Sequence, residues 1–160
     1  MNDKQIILIF GIITVAHPIS PAQHPQQAPP ITSWHPPHLG FHKLNFDGTS
    51  QGNPSPANLG GVLRNNNGKI LHIFSLSLGE ATNNEAEFAS LEQGLKILIR
   101  LDKGLTVVEG DSLLTINAAR KLQTGTRPEK VTKHWRLAKV NELITRHLSA
   151  LNGVILQAVR

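Results

Sequence analysis

The hydrophobic positions of this chain change period several times, and each change marks an element. From Lys43 the sequence KLNFD alternates, with Leu44 and Phe46 on one face and Asn45 and Asp47 on the other, which predicts a half-buried strand. The stretch GTSQGNPSP that follows is dense in turn-forming residues. GGVLRNNNGKILHIFSLSLG then reads as two strands joined by an Asn-Gly hairpin turn around Asn67 and Gly68, completing an antiparallel meander. From Asn83 the spacing becomes helical: Phe88, Leu91, Leu95 and Leu98 predict an amphipathic helix to about Leu101. Thr82 or Asn83 is its N-cap, with a glutamate near the third helical position. GLTVVEGD returns to strand character, is apolar enough to be buried on both sides, and after a helix is expected to join the sheet in parallel. Residues 112–122 predict a second helix, and residues 129–148 a third with Leu137, Val140, Ile144 and Leu148 on one stripe. GVILQAVR closes as a fifth strand. This order predicts an α/β domain with a mixed five-stranded sheet, three antiparallel strands followed by parallel additions, flanked by helices.

Upstream of that domain, assigned to residues 42–160, the pattern is different. Seven of the ten prolines fall between His17 and Pro37, among His17, His24 and His35, and that density excludes a continuous helix or a central strand. Residues 17–41 are therefore expected to be a linker, and the irregular spacing of its histidines favours solvated side chains over a metal site. Ile6–Ala16 is an apolar run far shorter than the roughly 20 residues that cross a bilayer, so no stable membrane span is expected. Residues 1–16 have the length of a secretory signal, but Asp3 offsets Lys4 and no small-x-small cleavage pair is well placed; an apolar tail is the alternative. Without a signal, nucleus or cytosol is the expected location.

Composition narrows the chemistry. A chain of 160 residues without cysteine has no disulfide framework, thiol nucleophile or thiolate metal site. Hydrolysis by carboxylates or histidines, metal chemistry on hard oxygen ligands, and simple binding remain. Sixteen Lys and Arg against eleven Asp and Glu give a net charge of +5, mildly favouring a polyanionic partner. Lys130, Lys133, His134, Arg136 and Lys139 surround Trp135 and could face a phosphate backbone. Their density is ordinary for an exposed helix, however, and the expectation is a solvated face with Trp135 packed on the core.

Three acidic residues come from separate predicted elements: Asp47 from the first strand, Glu87 from the start of the first helix, and Asp111 directly after TVVEG. Each has a local role available to it. Asp47 could open the turn before Gly48, Glu87 could cap its helix, and Asp111 could be the N-cap of the helix starting at Ser112. Together they form a poor structural cluster, because like charges repel unless a cation neutralises them, and a good Mg²⁺ site. A pair of such ions could support phosphodiester hydrolysis.

KLNFDGTSQGNPSPANLGGVLRNNNG, TNNEAEFASLEQGL and VVEGDS together resemble the type 1 ribonuclease H domain, in particular its plant, reverse-transcriptase-associated form. The resemblance covers about Lys43 to Arg160, and WHPPHLGFHKLNFDG is similar to the Trp-Pro-Pro lead-in of the plant form. It implies a ribonuclease H-like fold with Asp47, Glu87 and Asp111 as catalytic carboxylates on a two-metal Mg²⁺ site. It further implies that Gly52 and Asn53, with Pro54, and the pair Asn83 and Asn84 lie against the minor groove of an RNA/DNA hybrid. The implied activity is hydrolysis of the RNA strand by a monomeric domain. The family pattern continues past the fifth strand to a fourth carboxylate at the head of a closing helix, whereas Arg160 is the last residue here. The expectation is therefore a domain incomplete at its C-terminus, its final helix and fourth ligand missing. The alternative function is a catalytically weak or inert nucleic-acid-binding remnant of a retroelement-like gene.

Overall fold

The computed structural model describes residues 34–159; the apolar segment at 1–16 and the histidines at 17 and 24 lie outside the described residues. Five strands, β1 (His42–Ser50), β2 (Ser55–Arg64), β3 (Ile70–Ala81), β4 (Thr106–Gly110) and β5 (Val154–Ala158), form one sheet in the order β3-β2-β1-β4-β5. The first three pair antiparallel, and β4 joins β1 and β5 joins β4 in parallel. Among the described residues four helices connect or flank them: α1 (Asn83–Arg100), α2 (Leu113–Gln123), α3 (Pro128–Val131) and α4 (Trp135–Ala150). The mixed α/β sheet expected from the hydrophobic pattern is the sheet observed.

Alternation in β1 produces the layering. Leu44 and Phe46 point into an apolar core shared with Leu63, Phe74 and Val108 of the neighbouring strands. α1 lays Phe88, Leu91, Leu95 and Leu98 on the same core, and α4 adds Leu137, Ile144 and Leu148. The opposite face is mixed: Lys43 and Asn45 are buried there beside Glu109, with Val62 and Val107 as their strand-register partners. Polar side chains so placed are tolerated only when hydrogen-bonded or paired.

α1 starts where its sequence says it should. Thr82 Oγ1 accepts from the Glu85 backbone N–H at 3.2 Å, and Glu85 Oε2 accepts from the Thr82 N–H at 2.7 Å, a reciprocal capping box. The Asn67-Gly68 turn is also as expected, with Asn65 Oδ1 accepting from the Asn67 and Lys69 N–H groups and Gly68 at φ +80°.

Two expectations need correction. The turn after Asp47 is shorter than GTSQGNPSP suggested, because β1 continues to Ser50, paired with Ala57, and the chain reverses only over residues 51–54. The single helix expected at 129–148 is two, since Thr132 adopts extended geometry (φ −140°, ψ 142°) and a new helix begins at Trp135. Val131 and Thr132 are β-branched and disfavour helical χ1 geometry, which suits a break there. Among the described residues no helix is long and apolar enough to cross a membrane.

Candidate active site

The three carboxylates converge. Asp47, Glu87 and Asp111 each place an oxygen so that all three lie within 4.8 Å of one another. β1 contributes the first and α1 the second, and the third leaves the C-terminal end of β4. The backbone approach of β1 to the first turns of α1 requires glycine at residue 48: a Cβ there would fall inside the backbone of Ala86 and Glu87. The start of α1 thus sits directly on the strand, with Glu87 beside Asp47.

The local roles available to these residues are filled by others. Asp47 lies within β1 and opens no turn. Glu85, not Glu87, completes the capping box of α1, and Ser112, not Asp111, caps α2 by accepting from the Thr115 N–H at 3.3 Å. Three carboxylates without a local structural task are left facing one another.

Their electrostatics match that crowding. Burial, then the neighbouring charges of Asp111 and Asp47, push the Glu87 carboxyl up to about 9. Burial and Asp111 raise Asp47 to about 6, against a smaller lowering by hydrogen bonds to Glu87 and the Gly48 backbone. Glu87 is buried, Asp47 half-buried and Asp111 exposed, so the cluster opens toward solvent on the Asp111 side. Glu87 Oε2 is buried with no hydrogen-bond partner, which is costly for an oxygen that gains nothing in return. An all-oxygen donor set with an unpartnered buried oxygen fits a hard divalent cation such as Mg²⁺.

The predicted substrate-facing residues lie on or directly after the elements that carry Asp47 and Glu87. Gly52 and Asn53 occupy the exposed loop after β1, and Asn83 and Asn84 form the exposed first turn of α1. Ser50, which the sequence did not single out, links the two: its Oγ lies 2.7 Å from Gly52 O and 2.9 Å from Ala81 O. A serine at the end of a strand carries no distinctive sequence signal.

The basic patch departs from expectation in one respect. Trp135 is not packed on the core but is 77% exposed, with the Arg136 guanidinium 5.3 Å from its ring centroid. Arg136 also reaches Glu85 at 3.6 Å, which places the patch beside the first turn of α1. The signal was present in the spacing, because Trp135 lies two residues before Leu137 and hence about 200° around the helix from the buried stripe.

Comparison with known proteins agrees with this geometry. The family described as "Reverse transcriptase-like" matches residues 45–146. The Arabidopsis thaliana protein named "Putative ribonuclease H protein" is 42% identical over 65 residues, which cover 41% of this chain and 10% of that protein. Ribonuclease HI of Halobacterium salinarum is 42% identical over 71 residues, 43% of this chain and 35% of that protein. The chain thus spans well under half the length of either relative. The crystal structure of RNase H1 from Halobacterium salinarum is similar with a TM-score of 0.63 and 28% identity, covering 75% of this chain and 86% of that one. LC11-RNase H1, in its crystal structure with an RNA/DNA hybrid, is similar with a TM-score of 0.54 and 26% identity over 74% of this chain and 84% of that one. With the family match spanning most of β1 through most of α4, and the fold shared with a solved RNase H1 over 75% of the chain, this chain belongs to the reverse transcriptase-like family and carries a type 1 ribonuclease H domain.

Proposed function

We propose that this domain hydrolyses the RNA strand of RNA/DNA hybrids, with divalent metal held by Asp47, Glu87 and Asp111. The convergence of three carboxylates from three elements within 4.8 Å, one of them buried, is the observation that carries the reading. A bound divalent ion supplies charge neutralisation and an activated water at such a site. The chain's own part is placement. β1 fixes the Asp47 carboxylate, the bare backbone at Gly48 lets Glu87 approach it, and Asp111 at the end of β4 faces the solvent from which substrate arrives.

Binding is assigned to the surface around the cluster. Asn83 and Asn84 offer amide donors and acceptors suited to ribose 2′-hydroxyls in a minor groove, and the Gly52–Asn53 loop approaches with little side-chain bulk. Exposed Lys130, Lys133, Arg136 and Lys139 provide sequence-independent attraction to phosphates, and Trp135 a flat surface among them. That LC11-RNase H1 is described in complex with an RNA/DNA hybrid supports this substrate class.

The test is cleavage of a labelled RNA/DNA hybrid by the purified chain with Mg²⁺ or Mn²⁺, beside Asp47→Asn and a binding titration. Metal-dependent cleavage that disappears in Asp47→Asn supports the proposal. Cleavage by Asp47→Asn at the wild-type rate overturns the site, and binding without any cleavage moves the chain to the second reading, a nucleic-acid-binding remnant.

A further inference from the structure

The polar face of the sheet carries an ordered network that the proposed chemistry does not itself use. Lys43, 6% exposed, points its ammonium at His35 O, 2.7 Å away, and at Glu109, 3.5 Å away. Glu109 Oε2 also accepts from Asn45 Nδ2 at 2.7 Å, and Asn45 Oδ1 accepts from Arg64 Nη1 at 3.4 Å. Both ends of the Asn45 amide are thus engaged, which fixes its orientation. Over this network lies Trp34, its ring centroid 5.7 Å from Lys43 Nζ and 5.4 Å from Arg64 Cζ, both within cation–π reach. The ring extends to the β2–β3 turn, where a Cβ on Gly68 would meet it at 3.4 Å. Trp34 Nε1 is buried and makes no hydrogen bond, so the indole is held by its faces and its area.

The position of the network gives it meaning. The parallel β1–β4 ladder runs from His42 opposite Thr106 to Asn45 opposite Glu109, and there it ends. Asp47 and Asp111 each lie two residues beyond that last rung, one on each chain segment. The separation of these carboxylates therefore depends on how firmly the rung is closed. The backbone ladder alone gives no hold beyond it, whereas the Asn45–Glu109 hydrogen bond clamps the two strands where they part. Lys43 neutralises Glu109 within the face, Arg64 orients Asn45, and Trp34 shields both cations from water, which strengthens each interaction beneath it.

We propose that Trp34 and the Asn45–Glu109 pair are positioning residues for the carboxylate site, so that the Trp-His-Pro-Pro segment before β1 acts as a clasp on the catalytic centre. This inference rests on the metal-site reading above. None of these side chains touches a reacting atom; they act through the spacing of Asp47 and Asp111.

The experiment is calorimetric titration of Mn²⁺ into the metal-free full chain, well below its unfolding temperature, for wild type, Trp34→Ala, Trp34→Phe and Leu148→Ala. Leu148 is a buried core residue of α4 and provides a destabilised control outside the site. Trp34→Ala is expected to weaken Mn²⁺ binding about tenfold, the lower end of what loss of supporting contacts around a metal site produces, and to lower kcat while leaving KM for the hybrid unchanged. Trp34→Phe keeps an aromatic face and loses only an N–H without a partner, so it is expected to bind within about threefold of wild type. Leu148→Ala is expected to bind Mn²⁺ as wild type does. If Trp34→Ala does not fold, Trp34→Leu, which keeps apolar cover but has no π face, takes its place with the same expectation. Equal binding by wild type and the Trp34 variant overturns the clasp, as does an equal loss in Leu148→Ala. A wild-type chain that binds no Mn²⁺ overturns the metal-site reading and this inference with it.

Discussion

On the face of the sheet that α1 covers, Leu44, Phe46, Leu63 and Val108 are held by contacts with Phe88, Leu91 and Leu95. On the other face Lys43 and Asn45 are nearly as well shielded, at 6% and 9% exposure, beside the buried side chains of Val62 and Val107, yet their own polar contacts are directed ones between named donors and acceptors. Dispersion and hydrophobic burial are non-directional, so the first face holds the layers together without fixing any atom to a fraction of an ångström. Hydrogen bonds and ion pairs do fix atoms, and Asp47 follows Asn45 on that second face. Stability and geometry are thus assigned to opposite sides of one strand.

The largest effect is expected from removing the charge of Asp47. Asp47→Asn is expected to lower hybrid cleavage by at least about a hundredfold, a loss typical of removing a group that acts in the transition state, with circular dichroism and thermal unfolding close to wild type. Loss of the fold together with the activity would show that the polar face also carries stability.

Leu95→Ala perturbs the apolar face instead. Truncating a fully buried leucine on the α1 face is expected to cost about 2–5 kcal/mol in denaturant unfolding, with Mn²⁺ affinity unchanged while the chain remains folded.

The next effect in size is pH dependence. Burial and mutual repulsion raise Glu87 to about 9 and Asp47 to about 6, both above ordinary carboxylate values, so the metal-free folded state binds more protons than the unfolded chain. Their contribution is fully present below about pH 4, the range of unfolded carboxylates, and is lost as pH rises through about 6 and then about 9. These two groups should therefore make metal-free wild type less stable at pH 8 than at pH 5, a contribution read as the difference in slope between wild type and Glu87→Gln. Glu87→Gln should flatten that slope and stabilise the metal-free chain at pH 8 by on the order of 2 kcal/mol. A slope unchanged in Glu87→Gln would mean that the crowding of these carboxylates carries no stability cost.

The smallest expected stability change is at Trp135. Because the ring is 77% exposed, Trp135→Ala should alter unfolding free energy by less than about 0.5 kcal/mol. It should nonetheless weaken hybrid binding measurably in a fluorescence titration. A larger stability loss would return Trp135 to the core, where the sequence had placed it.

The strengths and failures of the sequence reading follow the same division between faces. The apolar face was legible because its signals are periodic: Leu44 and Phe46 at period two, Phe88 through Leu98 at three and four, and the Thr82–Glu85 cap at its fixed offset. The three carboxylates were legible as candidates because each stood at a predicted element boundary, although β1 in fact runs on through Asp47 to Ser50, and their convergence needed the resemblance as well as the pattern. The network of Trp34, Lys43, Asn45, Arg64 and Glu109 was not legible, since it joins residues up to 75 positions apart through interactions that leave no period in the sequence. The break between α3 and α4 was missed because the chain there contains neither glycine nor proline to mark it.

At Gly48 a strand and a helix meet through peptide units alone. Side chains that separate two elements change volume whenever a core mutates, and the elements shift with them; peptide units have one size. Backbone contact at this point is therefore a ruler that substitution elsewhere cannot stretch. The Asp47-to-Glu87 spacing is thus set by backbone rather than by packed side chains, and residue 48 is a position where a single added methyl group should be felt directly at the carboxylates.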